Sequence, residues 1–191
     1  MGFTRAELQS FRDAEVADLL PQDDQPLRLL FVGINPGLWT AATGAHFARP
    51  GNRFWPALLR AGIITQRVDP SAGMSEADLA HVRARGLGVT NVARRATALA
   101  SELTREELRA GGAELVALVE RTHPAVVAVA GVTAYRAAFG APRATTGRQP
   151  AQLAGAALWV VPNPSGLNAH ETVETLAAAY AEPARAAGLL G

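Results

Sequence analysis

Residues 29–37 read LLFVGINPG. The apolar run at its start is short and does not alternate, as expected of a strand buried on both faces. It breaks at Gly33-Ile34-Asn35-Pro36-Gly37. Gly33 allows close backbone approach, Pro36 stiffens the turn and Gly37 frees the backbone, so Asn35 is held rigidly at a strand end. A simple turn-forming role for Asn and Pro accounts for the same residues.

Three further runs resemble the first: GVTNV (88–92), AVVAVA (125–130) and LWVV (158–161). Helical patterns lie between them over 4–19, 52–61, 75–83, 104–121, 133–139 and 171–187. Ser75 with Asp78, and Thr104 with Glu107, have the spacing of capping boxes. Pro183 is expected to end or bend the last helix. Residues 141–157 are turn-rich and read as a loop or hairpin. Strands alternating with helices predict a single-domain, three-layer α/β/α fold with a mostly parallel central sheet. The domain spans 1–191, with an N-terminal helix over 4–19 and a core over about 28–187. In such folds the site lies at the carboxyl ends of the strands. The loops there are GINPG (33–37), VARRAT (92–97), AGVTAY (130–135) and PNPSGLNAH (162–170).

The composition narrows the chemistry. The 191 residues are 49% hydrophobic and 18% charged, enough for a core and too little charge for a disordered chain. There is no cysteine, which excludes disulfides, thiol nucleophiles and iron–sulfur clusters. All 18 cationic side chains are arginine, which excludes a lysine Schiff base and a Walker-type phosphate loop. No apolar run reaches membrane-spanning length, and the first twenty residues lack an apolar signal core, so a cytoplasmic protein without membrane contact is expected. Net charge is +1, yet residues 30–150 carry fourteen arginines against eight acids. A basic middle fits a nucleic-acid face, and solvated helix faces would give the same count. Neither an HxxxH nor a paired-carboxylate pattern occurs, so no metal and no cofactor are expected.

In the fourth loop, Asn163-Pro164-Ser165-Gly166-Leu167-Asn168, a large apolar side chain sits among small polar ones. Leu167 suits a wedge entering a base stack, with Ser165, Asn168 and nearby N–H groups gripping phosphates. The alternative is a plug packed on its own helix. In TGAHFARPGNRFW (43–55), Phe47 could stack on a planar base, whereas Phe54 and Trp55 are expected in the core. His46 has no neighbouring acid or second histidine in sequence and is a weak catalytic candidate.

GINPG (33–37), NRFWPALLRAG (52–62), GVTNV (88–92) and NPSGL (163–167) together resemble the mismatch-specific uracil-DNA and thymine-DNA glycosylase family, over about residues 28–185. Related uracil glycosylases carry an acidic first loop, where this chain has Asn35. The resemblance implies a monomeric, monofunctional enzyme that flips uracil out of a U·G mismatch in double-stranded DNA and excises it hydrolytically for base-excision repair. It implies that Asn35 positions the attacking water, that Phe47 stacks on the base, that backbone near Ile34 and Phe47 bonds its edge, and that Thr40 lies near its C5 position. Asn163, Ser165, Gly166, Leu167 and Asn168 would form the intercalating loop. One departure stands out. Relatives commonly carry Val-Asp-Arg after the second strand, where this chain has Val92-Ala93-Arg94. An acid at position 93 would serve as base or stabilise a cationic sugar, which Ala93 cannot. An impaired, mismatch- or lesion-binding protein on the same fold is therefore the rival reading. A nucleotide hydrolase is a weaker one, since no carboxylate cluster could hold Mg²⁺.

Overall fold

The computed structural model describes residues 2–22 and 24–191. Five strands form one sheet: β1 (Leu29–Gly33), β2 (Leu87–Asn91), β3 (Val126–Ala130), β4 (Gly147–Leu153) and β5 (Ala156–Val161). Their order is β2-β1-β3-β5-β4. All pairs are parallel except β4 with β5. β1 and β3 are buried along their whole length, matching their uninterrupted apolar runs. β4 is an edge strand with mostly exposed side chains, and it tolerates Pro150 because one of its sides needs no ladder partner. With β5 it makes the hairpin that the turn-rich segment allowed.

The described residues form seven α-helices: α1 (Arg5–Gln9), α2 (Leu38–Thr43), α3 (Phe54–Arg60), α4 (Glu76–Ala84), α5 (Arg105–Thr122), α6 (Val132–Phe139) and α7 (Val173–Ala186). One face of the sheet packs on α3, α4 and α7 through Phe31, Phe54, Trp55, Val82, Leu176 and Tyr180. Phe31 meets Phe54 edge-on at 5.1 Å and tilts against Tyr180 at 5.4 Å. The other face packs on α5 and α6 through Leu115, Val119, Tyr135 and Ala138. The three-layer expectation therefore holds, as do both capping boxes, at Ser75 with Asp78 and at Thr104 with Glu107.

Three helix expectations need correction. The helix expected over 4–19 stops at Gln9. Asp13 takes a positive φ of 65°, and the chain then runs extended beside β2, where Leu19 and Val89 exchange backbone hydrogen bonds. α2 went unrecognised because its N-cap, Gly37, supplies no side-chain cap. Pro183 does not end α7. It lies within the last turn with its ring buried, and the helix runs on past it without the N–H that would have met Ala179 O.

Candidate active site

The chain leaves β1 to reach β2 on one side and β3 on the other. This makes a switch point where a crevice opens beyond the strand ends. A cleft of about 250 Å³ occupies that position, the size for one base rather than a dinucleotide. Its walls come from the loops after β1 (Ile34, Asn35), after β2 (Thr97, Leu99) and after β5 (Asn163, Ser165, Leu167), and from Asn91 at the end of β2, Thr40, His46, Phe47 and Arg49.

The floor is tied together by hydrogen bonds that extend the β1–β2 pairing beyond the strands. Val92 N–H donates to Gly33 O (2.9 Å), Ala93 N–H to Ile34 O (2.8 Å) and Thr97 N–H to Pro36 O (3.2 Å). Asn35 sits in this zipper. Its Nδ2 donates to Pro36 O (2.9 Å), Thr97 Oγ1 (2.8 Å) and Arg95 O (3.4 Å). Thr97 Oγ1 spends its own proton on Leu99 O (2.8 Å), so it can only accept from Asn35. The amide orientation is thus fixed by its partners, and Asn35 Oδ1 receives no hydrogen bond from the described residues. An oriented carbonyl oxygen without a partner at a strand end can accept a hydrogen bond from water and aim the water oxygen.

Phe47 carries φ 55°, a conformation that is rare for a bulky residue and recurs at functional sites. One face stacks on Phe54 at 4.0 Å with a 25° tilt. The ring lines the cleft only partly buried, so it is a backed platform for a planar group. Thr40 is buried in the wall, and its Oγ1 accepts from Ala48 N–H (3.5 Å). Trp55 holds the same segment from beneath, donating Nε1–H to His46 O (2.9 Å).

The rim is built differently. Ser165 N–H donates to Asn163 Oδ1 (3.0 Å), Leu167 N–H to Ser165 Oγ (3.3 Å) and Asn168 Nδ2 to Asn163 O (3.1 Å). These local bonds leave the Leu167 side chain in solvent, with the residue 66% exposed, which favours the wedge over the plug. Arg53 braces the loop from α3 by donating to the carbonyls of Asn168 (3.0 Å), Gly166 (3.3 Å) and Glu171. Gly166 is a packing requirement as much as a loop residue, since a Cβ there would stand 2.6 Å from Gly51 O.

Three participants were not visible in the sequence. Asn91 ends β2 in the cleft wall. Its Oδ1 crowds Gly33 so closely that a Cβ on Gly33 would lie 2.4 Å away. Leu99 is 53% exposed and lines the same cleft as Leu167. Arg49 is exposed at the cleft mouth, and its guanidinium makes no hydrogen bond or ion pair with the described residues. The only sequence signal for Asn91 is its place at the end of a strand, and Leu99 and Arg49 had none.

Ala93 belongs elsewhere. Its methyl is buried and does not line the cleft, and Arg94 beside it turns away to Asp18 (3.4 Å) and Glu114 (3.5 Å). The Ala93 methyl itself therefore does not reach the cleft, although its N–H is bonded to the cleft-lining Ile34. Part of the basic excess is also structural. Arg83 and Arg85 hold carbonyls, Arg95 holds Glu107 and Asp13 (both 2.7 Å), and Arg136 caps Ala144 O. Among the described cleft-lining residues Arg49 alone is formally charged and none is a carboxylate. No group of three or more His, Asp or Glu is placed to hold a metal among the described residues.

A model of the Uracil DNA glycosylase superfamily matches residues 21–183. The chain belongs to this superfamily. Members are DNA glycosylases, hydrolases of DNA repair that act on the bond between base and sugar. The match spans all five strands and the three cleft-forming loops.

Proposed function

We propose that this protein is a monofunctional glycosylase that excises uracil from U·G mismatches in double-stranded DNA, with Asn35 as the group that positions water. The observation that carries the reading is the fixed Asn35 amide, whose Oδ1 takes no hydrogen bond from the described residues, in the lining of a base-sized cleft that also holds a backed aromatic platform and an exposed leucine.

A base inside a duplex must be extruded before its bond to C1′ can be reached, and a mismatch lowers the cost. Leu167 fills the vacated step, offsetting about a few kcal/mol of lost stacking. Phe47 carries the flipped base. The C1′–N1 bond breaks with its electron pair leaving on uracil, and water bonds to the oxocarbenium-like carbon. The water's proton passes to the departing uracil anion or to solvent. A neutral amide can orient water but is a poor base, so the chemical step is slow. With no lysine, no Schiff base forms on a side chain, and the product is an intact abasic site.

The lack of a cleft carboxylate gives the binding-protein reading its footing. One assay separates the two. Labelled U·G, U·A, T·G and single-stranded U substrates are incubated with excess protein and EDTA, then split with or without alkali. Alkali-dependent cleavage, strongest for U·G, is expected. Tight U·G binding with no alkali-labile sites would establish a binding protein, and strand cleavage without alkali would contradict the monofunctional reading.

A further inference from the structure

The amino ends of β1 and β2 lie at the opposite end of the sheet from the cleft. Beside them is a cavity of about 480 Å³ lined by Arg28, Arg83 and Arg85. Among the described residues none of the three forms an ion pair, and no acidic side chain lines the cavity. Each guanidinium is instead tethered to main-chain carbonyls. Arg28 Nη1 donates to Gly188 O (3.3 Å) and Arg83 Nε to Leu20 O (3.1 Å). Arg85 donates from Nε to Ile63 O (2.9 Å) and from Nη2 to Leu189 O (3.0 Å). Gly86 makes room for the Arg28 stem, since a Cβ there would stand 2.9 Å from Arg28 Cγ.

The tethers fix the three side chains yet use only one or two of the five N–H donors on each. A carbonyl carries no net charge, so three positive charges remain unneutralised around one cavity. Like charges held together destabilise a fold until an anion joins them. Gln25, in the same wall, has a buried Oε1 that receives no hydrogen bond from the described residues. A hydroxyl on the ligand would supply that donor.

We propose that this cavity is a second binding site, for a small ligand whose phosphate or pyrophosphate group bears two or more negative charges. Guanidinium forks grip such oxygens in pairs. A DNA phosphodiester carries one charge per phosphate along an extended backbone, and so matches a concave cluster of three cations less well. The site is separate from the cleft and does not depend on the uracil reading.

Titration calorimetry with sodium pyrophosphate, at neutral pH and constant ionic strength, should find one site per chain. Saturation should raise the melting temperature by about 4 °C or more. Phosphates also stabilise proteins generally by exclusion from their surfaces, so the variants decide. Arg28→Gln should weaken pyrophosphate binding about tenfold or more, the value of one charge-assisted hydrogen bond. Ala84 is exposed at the cavity wall, at the end of α4, and Ala84→Glu places an anion there without touching a tether. Compared with Ala84→Gln, it should melt higher without ligand and bind pyrophosphate about tenfold more weakly.

A wild type that does not bind pyrophosphate, or an Arg28→Gln that binds it equally well, overturns the proposal. If Arg28→Gln does not fold, equal affinities of Ala84→Glu and Ala84→Gln overturn it. Displacement of pyrophosphate by a uracil-free duplex would assign the cavity to DNA and overturn the small-ligand assignment.

Discussion

The floor and the rim of the cleft are made on opposite principles. On the floor, polar side chains are partly buried and are oriented chiefly by partners far away in sequence: Asn35 by Thr97 and Arg95 as well as its neighbour Pro36, Asn91 by His46. On the rim, Leu167 and Leu99 stand in solvent on loops held by local turns, with one long-range brace from Arg53. Preorganised polar groups act on the charge that develops at the reacting bond. Exposed apolar groups acquire a partner only when DNA arrives. The floor should therefore govern the chemical step and the rim should govern extrusion.

Asn35→Ala gives the largest effect. It removes the only oriented side-chain acceptor named for water, and single-turnover excision from U·G should fall about 10²–10³-fold. Affinity for an uncleavable U·G duplex should stay within a few-fold. Equal losses in rate and affinity would mean that Asn35 contributes to binding rather than chemistry.

Arg53→Ala comes next. It frees three carbonyls of the wedge loop, so duplex affinity should drop about tenfold, and Arg53→Lys should recover little because an ammonium cannot match the planar fork. A binding titration checks both variants.

Ala93→Asp sharpens the assignment of the floor. The added carboxylate enters a buried position whose present side chain does not line the cleft. It should cost about 2 kcal/mol or more of stability by urea unfolding, with no gain in excision rate. A faster enzyme would return position 93 to the mechanism.

The smallest effect concerns pH. Hydrogen bonds, first from Arg95 and then from the Thr104 N–H, hold the Glu107 carboxyl down to about 2. A depressed carboxyl stabilises the folded state above its ordinary value of 4.5. That contribution is lost as pH falls from about 4.5 toward 2. Glu107→Gln should flatten the decline of melting temperature in that window. An unchanged slope would show that the Arg95–Glu107 pair contributes nothing to stability.

Much of this division could be read from the sequence, because wedge and turn chemistry is local. GINPG and NPSGL announce themselves by residue type alone, and Leu167 emerged exposed as its neighbours implied. The floor's partners could not be read this way. Asn35 and Thr97 are 62 residues apart, His46 and Asn91 are 45 apart, and Arg53 lies 115 from Asn168. Only the sheet order brings them together. The fold shows the same split. Buried strands and capping boxes were readable, whereas α2 lacked a side-chain cap and the end of α1 depended on the turn near Asp13 and on the pairing of Leu19 with Val89.

The separation of floor from rim is tested most directly by single-turnover excision with Asn35→Ala and Leu167→Ala, each on a U·A duplex and on single-stranded U. Asn35→Ala should lose the same factor on both substrates, since water positioning does not depend on the duplex. Leu167→Ala should lose about tenfold or more on U·A and almost nothing on the single strand, where there is no stack to replace. Equal losses for Leu167→Ala on the two substrates would contradict the account.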